Sequence, residues 1–411
     1  MIVYKPRVLL IIALFLYQQQ GKALTLDETL DKVIENHPQI LSKRLELDAA
    51  EKNVKAAMWQ LAPGISITNS HNQYDQRLII TRIQQPLFMG GKTWFGIQES
   101  MAKREVANAD LEGTENDLKI KASDAYLEVI RLKRKEEVAK KNTAEHWRLL
   151  ELIKRKTDAG INPLSEALTA EMRYQSAISE HVQLKSQLAT ALSQLEQLLG
   201  DTVGNSNNLL PPKEIPFKLS LEETIQAATD FSPQLKSQKF KSEQAEARLG
   251  IDRSALLPQV HLRQDRYSGG TPYPNTITYI AVEYQIGGGA SSLYTFSASN
   301  SQQKSALSQV ESTQKDVVNA VTKDWNQFSM TKDQAKIISK QLAASENVMA
   351  SFLRQFSIGK RTWIDVLNTQ KELSQTHYTL VDTEISLQQS KNRLLIQTGN
   401  WTSSSPDNQK K

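Results

Sequence analysis

Apolar and small residues recur at alternating steps of three and four over long stretches of this chain. Examples are Leu118, Ala122, Ala125, Val129 and Leu132; Leu184, Leu188, Ala191, Leu195 and Leu198; and Ile338, Leu342, Ser345, Met349, Phe352 and Phe356. Helices patterned in this way pack side by side as coiled coils. From Trp94 to Asp158 there is no proline and only two glycines, Gly96 and Gly113, and from Tyr294 to Ser357 there is neither, so each stretch predicts one very long helix. The first would run about 97 Å at the rise of an α-helix. The segments "KTDAGINPLSEAL" and "FSIGKRTWIDVL" predict sharp turns into return helices, with Gly160 in the place of Gly359 and Leu168 in that of Leu367. Both turns are expected at one end, away from any strands. The remaining helix faces are polar enough to line a water-filled passage, and a solvated outer surface accounts for them equally well.

Two regions switch to a period of two. "VHLRQDRY" and "TITYIAVEYQI" flank the turn-rich "SGGTPYPN" and predict a β-hairpin at about 260–286. In its second strand Ile280, Val282, Tyr284 and Ile286 face one way and Tyr279, Ala281, Glu283 and Gln285 the other, the alternation of a strand between lipid and water. "ISITNSHNQ" and "RLIITRIQQPLF", divided by "YDQ", predict an earlier hairpin at about 65–87. Only its second strand is convincingly apolar on a face, and a hairpin lying in water on the protein surface fits these residues too.

These elements occur in two rounds. Residues 24–65 align without a gap on residues 219–260, so that Leu24, Glu28, Thr29, Pro38, Gln39, Ala50, Leu61 and Pro63 recur as Leu219, Glu223, Thr224, Pro233, Gln234, Ala245, Leu256 and Pro258. Prolines punctuate helices, and both recur in register, as expected of a duplicated unit. The chain therefore reads as a first repeat at 24–210 with its helical tip near 160, a second at 211–400 with its tip near 359, and a polar tail at 401–411.

Composition sharpens this reading. Hydrophobic residues make up 39% and aromatic residues 7% of the 411 residues, which suits elongated helices better than a single ball-like core. Residues 1–23 combine a short basic region, an apolar run from Val8 to Tyr17 and small residues at Gly21 and Ala23, the signature of a secretory signal peptide; an uncleaved anchor is the alternative. Its removal takes away Lys5, Arg7 and Lys22, so the formal charge falls from +5 to +2 and nothing points to nucleic acid. There is no cysteine, which excludes disulfides, thiolate metal sites and a lipidated N-terminal cysteine. No later stretch has the apolar length of a spanning helix, so a membrane role would have to use strands.

Candidate chemistry is sparse. Gly91-Lys92-Thr93 ends like a phosphate loop, but the position that needs a flexible glycine is Pro86, which has a fixed φ and no N–H. Gly90-Gly91 and Gly288-Gly289 instead end the two hairpins, where the chain must swing from strand to helix. Six scattered histidines have no ligand spacing, and no Gly-x-Ser-x-Gly elbow occurs, so no enzyme, cofactor or metal is expected. "RLKRKEEVAKK" at 131–141 mixes both signs at helical spacing and reads as a solvated helix face.

The paired "LTLDETL…HPQI" and "LSLEETI…SPQL" openings, the "PLFMGG" junction and the "FSIGKRTWIDVLNTQ" turn resemble the TolC family of outer-membrane efflux and secretion ducts over residues 24–400. The resemblance implies a mostly α fold with a small β part. Long coiled-coil helices form an α-barrel, and four strands per chain contribute to a trimeric twelve-stranded β-barrel in outer-membrane lipid. Strand count alone admits four copies as well as three, but a lone chain cannot close a barrel. It further implies an exit duct for a tripartite efflux pump or type I secretion system, with a periplasmic membrane-fusion adaptor and an inner-membrane transporter of RND or ABC type. A periplasmic coiled-coil adaptor or scaffold without a pore is the alternative reading of the long paired helices.

By position, Arg361 matches the arginine of the family's second turn, Glu151 an acidic partner that helps to close the periplasmic tip, and Phe356 a tyrosine whose hydroxyl is lost here. A wet pair of this kind contributes about 0.2 to 1 kcal/mol per copy, enough to bias a gate without locking it. Asp365 matches a residue that forms an acidic ring, and Asn368 replaces the acid of a second ring found in some members. One ring of three carboxylates, and a weaker cation preference than two rings give, is therefore expected, and replacing Asp365 should lower cation block.

Overall fold

The computed structural model describes residues 24–71, 77–213, 215–269, 275–284 and 290–401. Residues 1–23, expected to be a signal peptide, Gln285, Ile286, Gly288 and Gly289, expected at the second strand-to-helix junction, and the tail beyond 401 lie outside the described residues. Helices α1 (Leu26–Asn36) and α2 (Pro38–Trp59) lead into strands β1 (Gly64–His71) and β2 (Arg77–Phe88), followed by α3 (Lys92–Asp158) and its return α4 (Leu164–Leu199). The order then recurs as α5 (Leu221–Phe231), α6 (Pro233–Ser254), β3 (Gln259–Gly269), β4 (Thr276–Glu283), α7 (Ser291–Ser357) and α8 (Trp363–Gln397). Helices α3 and α7 have 67 residues each.

Local chemistry starts the helices in the same way in both halves. The Thr25 hydroxyl accepts the Glu28 N–H at 3.2 Å while the Glu28 carboxylate accepts the Thr25 N–H at 2.8 Å. Ser220 and Glu223 make the same two bonds at 3.3 and 2.8 Å. Each reciprocal pair satisfies two N–H groups that a helix start would otherwise leave without a partner. Thr29 and Thr224, both fully buried, donate their hydroxyls one turn back to the carbonyls of Thr25 and Ser220. Ser232 caps α6 just ahead of Pro233, whose missing N–H costs nothing at the first helical position.

The chain packs as two compact units, each drawing on both halves of the sequence. Among the described residues the first holds 24–37, 116–227 and 321–401. Here Tyr126 is fully buried, and its single proton lies between the carbonyls of Leu24 at 2.9 Å and Leu210 at 2.5 Å, beside the parallel bridge from Leu24 to Leu209. Burial pushes the phenol above its ordinary range, so it remains a donor. Ion pairs fasten α3 to α8: Arg134 to Glu384 at 2.7 Å, Lys135 to Asp382 at 2.8 Å and Arg393 to Asp124 at 2.9 Å. The charged run at 131–141 is thus more than a solvated face, because part of it pairs with a helix some 250 residues later in the sequence.

The second unit holds Pro38–Glu115 and Ala228–Ala320. Its four strands form one antiparallel sheet in the order β1-β2-β3-β4, so the two hairpins join through β2 and β3. The register shifts between Pro86 and Phe88, beside the residue that has no N–H to give the ladder. Gly90 and Gly91 then turn the chain into α3 at φ 63° and 93°. A Cβ on Gly90 would stand 2.9 Å from the Ser254 carbonyl oxygen, so the junction needs glycine for space as well as for backbone freedom. On α6, a Cβ on Gly250 would meet the Phe95 ring at 2.5 Å.

These contacts separate two kinds of glycine. Gly250→Ala overfills the α6–α3 contact and should cost about 1 to 3 kcal/mol. Gly160→Ala, where nothing lies within 4 Å of the added carbon, should cost about 1 kcal/mol through backbone strain alone. Thermal unfolding of both variants in detergent checks the order, with Gly250→Ala the less stable.

Candidate functional site

Two places gather the candidate residues, the sheet with its junctions and the pair of helical turns. The register assigns each strand residue to a face. On one face lie Ile65 and Ile67 of β1, Ile79 and Ile83 of β2, Val260 and Leu262 of β3, and Ile280 and Val282 of β4, the apolar band at the helix-proximal end giving way to Asn69, Thr81, Gln264, Arg266, Ser268, Thr276 and Thr278 toward the hairpin tips, with Gln85 beside Leu262. Ile65, Ile67, Ile280 and Val282 are 71%, 70%, 64% and 66% exposed in the single chain. A sheet face this apolar and this bare suits lipid. The first hairpin shares it: pairing brings Ile65 opposite Ile83, so its sparse apolar residues align with those of the second hairpin.

The opposite face is a hydrogen-bonded network of charges. Arg82 on β2 grips Asp265 on β3 through two bonds of 2.8 Å, and the Tyr279 hydroxyl donates to the same carboxylate at 3.0 Å. Arg263 donates to Gln84 at 2.9 Å and pairs with Glu283 at 2.5 Å, while His261 contacts Gln84 at 2.8 Å. The Asp265 side chain is 1% exposed, so its charge depends on Arg82. The two arginines and two carboxylates tie β2, β3 and β4 together. Sequence reading missed this set, because Arg82 and Asp265 are 183 residues apart and only the register brings them side by side.

The two turns share one construction. Gly160 and Gly359 take φ 71° and 73°, and the residue after each donates back to a carbonyl five positions earlier, Ile161 to Lys156 and Lys360 to Gln355, both at 2.9 Å. Both turns close on a common core that includes Leu150 and Ile153 of α3, Ala167 of α4, Met349 and Phe356 of α7, and Trp363 and Val366 of α8. Phe356 is therefore a core residue, its ring 5.6 Å from the Trp363 ring and its centre 4.1 Å from the Lys156 ammonium. Trp363 was not singled out in the sequence; its place after the Arg361-Thr362 cap was the available signal.

Arg361 lies over the Phe352 ring at 4.2 Å, donates to Gln355 at 3.1 Å and stands 3.8 Å from Asp365. Glu151 is half-buried and, among the described residues, is not joined to Arg361 by an ion pair within the chain. Asp365 closes a capping box at the start of α8: its carboxylate accepts the Thr362 hydroxyl at 2.8 Å and the Thr362 N–H at 3.3 Å. The Thr362 hydroxyl bond, followed by the backbone bond and the Arg361 charge, holds this carboxyl below its usual range. Asn368, one turn on, is exposed. Gly90 and Gly91 sit between β2 and α3, whereas Pro86 lies within β2 at its register shift. Among the described residues no group of His, Cys, Asp and Glu could hold a metal ion, and no helix is long and apolar enough to cross a membrane.

Comparison with known proteins places these features. A family model for outer membrane efflux proteins matches residues 29–201 and again residues 224–400. The outer membrane protein TolC of Vibrio cholerae serotype O1 is 21% identical over 397 residues, covering 89% of this chain and 90% of the relative. The outer membrane efflux protein BepC of Brucella suis biovar 1 is 23% identical over 406 residues, covering 93% and 87%. A solved membrane protein from Pseudomonas aeruginosa has the same fold, with a TM-score of 0.81 at 14% identity over 93% of this chain and 92% of that one.

The charge network yields a direct test. Arg82→Ala leaves a buried carboxylate without its partner and should destabilise the protein by about 3 kcal/mol. Arg82→Met combined with Asp265→Leu removes both charges and should recover most of that loss. Denaturant unfolding of the single and double variants measures the difference.

Proposed function

The chain belongs to the outer membrane efflux protein family, and on that premise we propose that it is the passive exit duct of a tripartite efflux pump or type I secretion system. It resides in the outer membrane and extends into the periplasm. In this reading it assembles as a homotrimer, and a periplasmic membrane-fusion adaptor and an inner-membrane transporter of RND or ABC type deliver its cargo. One observation carries the proposal: a four-stranded sheet with an exposed apolar face, a polar charge-paired face and two unpaired edges, β1 and β4. Four strands cannot close on themselves, whereas three copies pool twelve, with lipid outside and the charge network toward the passage. A pore-free scaffold has no use for such a sheet.

The duct needs no energy source of its own, because the transporter drives transport. The paired turns are the proposed gate, with Gly160 and Gly359 setting the bends, Phe356 anchoring α7, and Arg361 and Glu151 available to bias closure across the assembly. Asp365 is the proposed acidic ring. Its position in a capping box makes Asp365→Ala a poor probe, since alanine also removes the cap, whereas asparagine keeps an acceptor and removes the charge.

The experiment is conductance of the purified protein in planar lipid bilayers. Oligomeric protein extracted from the outer membrane should form ion-conducting channels; a detergent-independent monomer without conductance overturns the duct. Asp365→Asn should weaken block by multivalent cations several-fold while leaving the oligomer intact, and an unchanged block refutes the ring. Because the carboxyl is held below its ordinary value, the wild-type block should persist as pH falls to about 4 and disappear only below that.

A further inference from the structure

A cavity of about 500 Å³ opens among α3, α7 and α8, wholly within the unit that carries the turns. Its apolar wall includes Val138, Met349, Leu353 and Leu373. Met349 belongs to the core on which both turns close, and Leu353 and Leu373 pack against that core. The volume lies in the range of small-molecule sites, which combine apolar walls with a few placed polar groups.

Three of its lining residues are polar and more than nine-tenths buried. Asn142, Gln370 and Ser374 are 8%, 6% and 7% exposed. The Gln370 amide nitrogen donates to Asn142 Oδ1 at 3.0 Å, and the Ser374 hydroxyl donates to the same oxygen at 2.7 Å. Both bonds use one end of the Asn142 amide. Among the described residues, Asn142 Nδ2 and Gln370 Oε1 have no hydrogen-bond partner, and neither atom is sealed from solvent as Trp363 Nε1 is. Two adjoining buried amides thus leave one donor and one acceptor for an occupant to complete.

The charges around the cavity balance. Lys141 and Arg148, the latter 3.4 Å from Glu145, offset Glu145 and Glu346, and His377, 3.7 Å from Glu346, adds no charge in its neutral form. Burial holds His377 below its ordinary range against the pull of Glu346, and Lys141 adds to the burial effect. An occupant therefore meets paired charges at the rim and an unfinished amide edge at the base.

We propose that this cavity binds a small neutral amphipathic molecule, one that carries an amide-like donor and acceptor on an apolar body. Its carbonyl accepts from Asn142 Nδ2, its N–H donates to Gln370 Oε1, and its body lies along Met349 and Leu353. Such a molecule touches α3, α7 and α8 at once and stabilises the core beneath both turns by mass action. The site is in the helical wall and does not rest on the duct reading.

The test uses full-length protein in detergent and 4-fluorobenzanilide as the probe, followed by fluorine NMR against empty micelles. Wild-type protein should show a saturable signal above micelle partitioning, with one site per chain, and a higher unfolding temperature in the presence of the probe. Ala350→Phe fills the cavity from an exposed lining position and should weaken binding at least tenfold while leaving the unfolding temperature without probe unchanged. Asn142→Leu should weaken it as well. A signal that only tracks micelle concentration, or saturable binding that Ala350→Phe leaves intact, overturns the proposal. Bilayer conductance of the same preparation reports separately on the duct.

Discussion

A β-sheet with open edges leaves a row of backbone donors and acceptors bare, and inside a bilayer no water is present to satisfy them. That constraint governs this protein. Strands β1 and β4 have neighbours on one side only, and the sheet they bound has an apolar face that the chain itself does not cover. Closure by further copies answers both needs at once: the edge bonds are made and the apolar face meets lipid. The polar face then has to be stable without a core behind it, and cross-strand charge pairs supply that stability.

The helical unit solves a different problem. Long helices with few large apolar residues gain little from a deep core, so they rely on defined ends and on side-chain clasps between neighbours. Capping boxes at Thr25, Ser220 and Thr362 begin three helices, left-handed glycines end α3, α4 and α7, and the arginines and lysines of α3 reach carboxylates on α8. Most of these pairs are partly exposed, so each contributes modestly and their number matters more than any one of them.

Much of this was legible in the sequence, for reasons that can be named. The three-four periodicity and the absence of proline defined α3 and α7, and the two turn glycines marked their ends because few other residues accept a positive φ. The second hairpin was clear, since Ile280 and Val282 alternate with polar neighbours. The first was weaker, because Ile65 and Ile67 have too few apolar companions on their own strand; their face becomes apolar only beside β2. Arg82 and Asp265 were invisible as a pair, since register is a property of the folded sheet. At the turn, position suggested gate roles for Phe356 and Asp365, and folding places one in the core, as its place in the apolar periodicity allows, and the other in a helix cap.

The charge pairing of the sheet also bears on what a traveller through it would feel. Arg82 is neutralised by Asp265 and Arg263 by Glu283 within hydrogen-bond reach, so their fields largely cancel a few ångströms away. Where that face lines a passage, as proposed, the two pairs add little net field of their own to what a passing solute meets.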